Sequence, residues 1–310
     1  MAGTHLLELL GFLGFVAVAT WLDLAVLHRD DHEIRLGEAA WTSAAWVAVA
    51  LAFSGYIYWR YGVEGWMQYL AGYTLEKALS IDNIFVIALI FGFFGIRNGL
   101  QHRALAWGVI GAIAMRGALI FLGVSLVERF DWLLPVFGGF LVYTGYKMLR
   151  GGGHEEPVEQ SLAYRVCRKL LPVFPGFDGH RLFTRQNGRW ALTLLGMSIV
   201  MVEATDLLFA ADSIPAVMGV SREPFIILTS NIFAILGLRA LYFVLAGILH
   251  RFRYLKYGLA VVLGFIGAKL LLTPLDIHVP VPYSLGVVLG VVGVAVVASL
   301  LIPERLAPRE

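Results

Sequence analysis

Two apolar stretches of this chain carry carboxylates where a membrane-spanning helix ordinarily carries none. The first reads Leu75-Glu76-Lys77-Ala78-Leu79-Ser80-Ile81-Asp82-Asn83-Ile84-Phe85-Val86. The second reads Glu203-Ala204-Thr205-Asp206-Leu207-Leu208-Phe209-Ala210-Ala211-Asp212-Ser213-Ile214-Pro215. Each lies inside an apolar run long enough to cross a bilayer. A charge at the bilayer centre costs roughly 2.5–3.5 kcal/mol on insertion scales. Glu76, Asp82, Glu203, Asp206 and Asp212 therefore need a reason to be there, and binding something positive is the commonest one.

The composition agrees with a chain built for lipid. Of 310 residues, 59% are hydrophobic and 15% charged, against about 25% charged in soluble proteins. The mean hydropathy is +0.76. A net charge of +2 points to no nucleic acid and no acidic partner. The single cysteine, Cys167, excludes an internal disulfide framework and a cysteine-cluster metal site. The first residues lack a basic leader and a small-residue cleavage site, so a retained first span is expected.

The expected fold class is all-α: one polytopic transmembrane domain over 1–310 with about nine spans. These fall near 7–27, 41–59, 66–94, 104–127, 132–149, 190–218, 224–249, 255–273 and 284–303. The one long connection, 150–189, is polar and broken by Gly151-Gly152-Gly153, Pro157, Pro172 and Pro175. Within it, 162–171 is amphipathic enough to lie on the membrane surface. With the N-terminus outside and the C-terminus cytoplasmic, cytoplasmic loops hold sixteen Lys and Arg and external loops three, Arg60, Arg129 and Arg222. That asymmetry sets the orientation.

The two acidic segments also align. Glu76 falls on Asp206, Asp82 on Asp212 and Asn83 on Ser213. Further on, Arg116 matches Arg239, and Gly145-Tyr146-Lys147 matches Gly267-Ala268-Lys269. Residues 66–149 and 190–273 thus read as two three-helix copies entering the membrane from opposite sides, joined by the cytoplasmic loop 150–189. Inverted repeats of this kind are characteristic of secondary transporters, with the substrate held at the midplane.

Spacing constrains the acidic site. Glu203 and Asp206, three apart, share a helix face. Asp206 and Asp212, six apart, are separated by about 240° and about 9 Å on a straight helix. They are either successive stations on a path or the flanks of a broken helix. Pro215 favours a break, since its missing N–H frees the carbonyl of Ala211. Locally unwound segments are therefore expected around 80–83 and 210–214. The metal-ligand set is Glu76, Asp82, Asn83, Glu203, Asp206 and Asp212, an oxygen shell suited to Mg²⁺, Ca²⁺ or Mn²⁺. All eight histidines fall in loops or near span ends. Met197 and Met201, on the second acidic helix, would favour Mn²⁺ as ligands but read more simply as core residues. Lys77, Arg116 and Arg239 are candidate ion-pair or gating partners. Asp23 could line a vestibule, Asn231 could bind the ion or bridge helices, and Lys147 and Lys269 could simply snorkel.

The two acidic segments, with Trp21-Leu22-Asp23-Leu24 and the long central loop, resemble the signature segments of the TerC family, in particular its Alx-like bacterial members. The resemblance covers about residues 20–275. It implies an integral membrane protein of the wider LysE-type transporter group, export of Mn²⁺, and an association with tellurite resistance and alkaline-induced expression. The family's acidic positions carry over to Glu76, Asp82, Glu203, Asp206 and Asp212. The expectation is a bacterial inner-membrane secondary transporter, not an enzyme, that exports Mn²⁺ against protons, touches membrane lipid and holds no permanent cofactor. Two alternatives stay open: a Ca²⁺ or broad divalent-cation exporter, and a non-transporting membrane factor that organises partner proteins. Amino-acid export, which would need cations such as Arg116 and Arg239, is a weaker third. The oligomeric state is left open.

Overall fold

The computed structural model describes residues 2–25, 36–150, 158–186, 189–245, 254–275, 277 and 279–301. It is mostly helical, at 86%. The helices are α1 (Ala2–Ala25), α2 (Leu36–Phe94), α3 (Asn98–Arg129), α4 (Leu133–Leu149), α5 (Leu162–Leu170), α6 (Leu194–Met218), α7 (Pro224–Leu236), α8 (Leu238–Leu245), α9 (Leu255–Leu272) and α10 (Val281–Leu301). Among the described residues, five helices are long and apolar enough to cross a membrane, and six when the bent pair α7–α8 counts as one. Two shorter apolar stretches, Leu7–Leu22 of α1 and Leu133–Leu149, join them.

The 59 residues of α2 are not one rod. At 1.5 Å per residue a straight helix of that length would span about 90 Å. Gly62 instead takes φ 71° and ψ −170°, a region of backbone space open essentially to glycine alone. The chain folds back there. The Tyr69 hydroxyl donates to the carbonyl of Ala50 at 3.1 Å and the Trp66 indole to the Ser54 hydroxyl at 3.2 Å. Residues nineteen apart on a straight helix would lie about 28 Å from each other. At the same turn, Glu8 of α1 accepts from Arg60 at 2.6 Å and from the Tyr61 hydroxyl at 3.1 Å, which fixes α1 beside the reversal.

Around this hairpin the remaining helices interlock. α2 packs on α7 and α8, α3 on α6, and α4 on α9, while α10 covers α9 and α2. The α4–α9 contact is the most extensive. A Cβ placed on Gly138 would lie 2.7 Å from the Gly267 carbonyl oxygen, and one on Gly145 would lie 2.7 Å from that of Ala260. Glycine there lets two backbones touch.

Two expectations are corrected. The connection between α4 and α6 is not simply loop and surface helix. It contains an antiparallel hairpin, β1 (Phe183–Gln186) with β2 (Arg189–Leu192), in register Phe183 to Leu192 and Gln186 to Arg189, so the fold is not purely α. The acidic segments are also not unwound. α2 is helical through 80–83, and α6 runs unbroken from Leu194 to Met218 with Pro215 inside it. Pro215 lies in the last turn, where the helix is about to end and a lost hydrogen bond disrupts little beyond it. The breaks fall elsewhere, at Gly62 and at Gly237, where α7 and α8 meet at 42°.

Gly62→Ala should lower stability by about 1–3 kcal/mol, the usual cost of forcing a side chain into that backbone region. Gly55→Ala, in the same helix with open space around its Cβ, should be neutral or slightly stabilising. Thermal unfolding midpoints in detergent compare the two, and equal midpoints would show that the reversal does not depend on residue 62.

Candidate functional site

The centre of the bundle is organised by a guanidinium. Arg116 projects from α3 and is 1% exposed. Its Nε and Nη2 donate side-on to Asp206 of α6 at 3.1 and 2.8 Å. Its Nη1 donates to Glu76 of α2 at 2.5 Å and to Asn231 of α7 at 3.0 Å, with Ser213 of α6 at 3.4 Å. Four helices thus meet at one side chain. Arginine suits this position because its planar fork offers five donors in fixed directions and stays charged.

The pairing is incomplete on the acidic side. Glu76 Oε1 and Asn231 Nδ2 are buried and have no hydrogen-bond partner among the described residues. Glu203, one turn from Asp206 on the same face of α6, has neither carboxylate oxygen partnered among them, and both are buried. Its carboxylate is pressed against α3 at Gly111. A Cβ there would lie 2.5 Å from Glu203 Cδ and 2.6 Å from Oε2. Gly111 therefore gives Glu203 its place. The cleft around it is lined mostly by apolar side chains, including Ile87, Leu105 and Val109, with Asn83, Thr205 and Asp206 as its other polar residues. A carboxylate so placed needs a positive partner or a proton.

A second cleft lies beyond Asn83 and Phe209, which line both. It holds Asp212, Ser213, Arg116 and Met148. Asp212 accepts from the Thr144 hydroxyl of α4 at 3.2 Å. Asp206 and Asp212 line different clefts, and the continuous helix excludes the broken-helix arrangement that the spacing also allowed. The side chains of Asp82 and Asp23 lie outside the described residues. Among those described, no cluster of three or more His, Cys, Asp or Glu is close enough to hold a metal ion.

The basic candidates divide. Arg116 is central. Lys77 Nζ lies 3.4 Å from the carbonyl of Ala234, and a Cβ on Gly237 would come within 2.7 Å of it. Its ammonium therefore caps the C-terminal end of α7 at the bend, where helix carbonyls favour a cation. Arg239, on α8 just past that bend, is buried. Lys147 is exposed, whereas Lys269 donates to Ser284 of α10 at 3.1 Å. Met197 and Met201 pack in an apolar cluster with Ile84, Ile87 and Leu195 and line neither cleft. Sequence reasoning missed Thr144 and the paired glycines Gly108 and Gly111. Their signals were a hydroxyl in an apolar span and two glycines three apart on the helix facing the acids.

Comparison with known proteins gives one consistent result. Residues 61–307 match the profile of the integral membrane protein TerC family. A Myxococcus xanthus protein, "Uncharacterized membrane protein STKORF319", is 46% identical over 298 residues, covering 96% of this chain and 93% of that protein. The "Putative membrane-bound redox modulator Alx" of Escherichia coli (strain K12) is 42% identical over 290 residues, covering 91% and 90%. A Rickettsia bellii membrane protein is 39% identical over 280 residues, covering 90% and 92%. No solved structure matches.

Arg116→Met should destabilise the fold by about 3–5 kcal/mol, because it leaves buried carboxylates without their cation. Adding Glu76→Gln and Asp206→Asn to Arg116→Met should recover most of the loss. Folded yield and unfolding midpoint in detergent test this, and a triple variant no more stable than Arg116→Met would mean that the ion pairs are not what the arginine provides.

Proposed function

This chain belongs to the TerC family of integral membrane proteins, and on that footing we propose that it is a secondary transporter of divalent cations, with Mn²⁺ as its cargo, in a bacterial inner membrane. The observation that carries the reading is the buried Glu203 carboxylate, unpartnered among the described residues and one helical turn from Asp206. Arg116 pairs with Glu76 and Asp206, and Glu203, one turn from Asp206, adds a carboxylate with no hydrogen-bond partner among the described residues, a charge that a bound cation would balance. Asp212 and Asn83, which line the second cleft, would supply a second station. The donors are oxygen and amide, the set suited to hard divalent ions. Carboxylates that release a metal can take protons in its place, which is the basis for antiport.

Nine crossings follow if the two halves of α2 count separately and α1, α4 and the bent α7–α8 pair each count once. An inverted repeat of 66–149 and 190–273 draws support from the helix pairing. Exchanging the copies turns the packing of α2 on α7–α8 into that of α6 on α3, and leaves α4 on α9 unchanged. The same register equates Gly145 with Gly267 and Gly138 with Ala260. It therefore turns the Gly145–Ala260 approach into that of Gly267 to Gly138, and both are close. Arg116 bridges Glu76 and Asp206, which are equivalent in the two copies.

The name of the Escherichia coli relative raises redox chemistry. Dithiol exchange needs two thiols, and this chain has Cys167 alone. That thiol is buried, and burial pushes its pKa up, away from the reactive thiolate. Ion transport fits the residues better.

Purified protein in proteoliposomes should take up Mn²⁺. Uptake should accelerate when the compartment equivalent to the cell exterior is acidic, and should respond to a protonophore with the voltage clamped. Glu203→Gln, Asp82→Asn and Asp212→Asn should each lower the rate by at least about tenfold, the effect of a lost charge–cation contact of about 1.4 kcal/mol. Folded variants moving Mn²⁺ at the parent rate would overturn the site. Parent protein that moves Ca²⁺ as well as Mn²⁺ would favour the broad exporter, and no transport of any divalent ion would favour the organising factor.

The proposed orientation puts the α4–α6 connection in the cytoplasm. Cys167 is a poor reporter because it is buried. Lys169→Cys in a Cys167→Ser background places a thiol at an exposed position of α5. A membrane-impermeant maleimide should label it in inverted vesicles and spare it in intact spheroplasts, and the reverse pattern would invert the topology.

A further inference from the structure

The segment between α4 and α6 carries a surface that neither the acidic site nor the bundle uses. α5 packs inward through Ala163 and Cys167, both buried. The Tyr164 ring meets Phe93 at 5.5 Å and Phe94 at 6.4 Å. Those are the last residues of α2. α5 also packs against α6, which begins at Leu194. The short helix therefore sits at the level where two apolar helices end, which in a membrane protein is the boundary between acyl chains and headgroups.

Its outward face is unusual for a helix at that level. Leu162, Val166 and Leu170 are 61%, 45% and 71% exposed. At 100° per residue they fall within an arc of about 80°, so they form one apolar ridge. Arg165 and Lys169 follow on one flank of that ridge, and both are exposed. The buried Ala163 and Cys167 lie on the other flank. A side-on apolar ridge bordered by basic residues is the pattern of a helix lying in an interface, with the ridge in the acyl boundary and the charges at phosphate depth. A second feature agrees. Trp190, 67% exposed, is paired across the hairpin with Arg185, also exposed, four residues before α6 begins. Tryptophan with a neighbouring cation at the end of a span marks the headgroup layer.

We infer that the outer face of α5, with the Trp190–Arg185 pair beside it, is a docking surface for anionic phospholipid headgroups of the bilayer in which the chain is embedded. Charge complementarity identifies the occupant. A zwitterionic headgroup offers Arg165 and Lys169 no net attraction, whereas each basic side chain gains at an anionic surface. The apolar ridge alone would serve any lipid, and the flanking cations select the negative ones. Docking ties the α4–α6 connection to the leaflet and so holds the ends of α2 and α6, the two helices that carry the acidic residues.

Full-length protein tests this in two ways that do not depend on transport. In native mass spectrometry from mixed phosphatidylglycerol and phosphatidylcholine micelles, the parent should retain phosphatidylglycerol preferentially, and Arg165→Glu with Lys169→Glu should reduce that preference by at least about fivefold. Separately, a nitroxide on Val166→Cys in a Cys167→Ser background should become shielded from a water-soluble nickel chelate in nanodiscs containing phosphatidylglycerol. It should stay more accessible in pure phosphatidylcholine. Equal lipid retention by parent and charge-reversed chain would overturn the assignment. So would equal nickel access in both bilayers, or dipolar broadening between nitroxides, which would give the ridge to a second copy instead.

Discussion

The structure depends on keeping one guanidinium buried among carboxylates from different helices. Arg116 binds Asp206 side-on and Glu76 end-on and reaches Asn231 and Ser213 with the same fork. Burying such charges is costly, and their attraction offsets that cost only when the geometry is good and the remaining donors are used. Here the geometry is good because each acid arrives on a long, rigid helix. α2 brings Glu76, α6 brings Asp206, and the fold-back at Gly62 sets α2 against α7 so that Asn231 joins them. Moving any of these helices would separate charges that have little water to return to, which makes the ion-pair centre a constraint on the whole bundle.

The same centre explains why Glu203 stands out. Arg116 is committed to Glu76 and Asp206, and Lys77 is committed to the carbonyl of Ala234 at the α7–α8 bend. The acid on the next turn of α6 is left facing a glycine and an apolar cleft. A structural network would be expected to satisfy its members fully, because a half-satisfied one is worse than an apolar core. Glu203, buried and unpartnered among the described residues, needs a proton or a cation, and the transport reading supplies both.

Much of this was legible in the sequence, and the limits were physical. Apolar runs mark most of the long helices because lipid demands continuous hydrophobicity whatever the tertiary packing. Acids inside those runs mark the ion-pair centre for the same reason. The α2 reversal was legible as a gap between spans near residues 60–65, though not as a single-residue turn at Gly62. The hairpin had its signal too. Asn187-Gly188 between two short apolar–polar stretches is the commonest hairpin dipeptide, outweighed by the surrounding prolines and glycines. Pro215 misled because proline's effect depends on its distance from the helix end. Which acids are paired and which stand open could not be read at all. Glu203 and Asp206 share a face and differ only in whether a guanidinium or a glycine of α3 is opposite, a matter of helix rotation and not of composition.

Helix continuity then bears on how a cation would move. Had α6 been broken at Asp212, one site could have drawn ligands from Asp206 and Asp212 together. Because α6 is continuous, the two acids lie about 9 Å apart along its axis and on different faces, beyond the reach of one ion's coordination shell. The clefts they line share Asn83 and Phe209. In the transport reading, an ion leaving the Asp206–Glu203 side for Asp212 must pass these two side chains. Asn83 offers an oxygen that could exchange one ligand for another, and Phe209 offers only bulk. Arg116 lines the second cleft and is held by Glu76 and Asp206, so in that reading a cation that takes either acid must displace it from the guanidinium. In the transport reading, that displacement couples movement of the ion to rearrangement of the ion pairs.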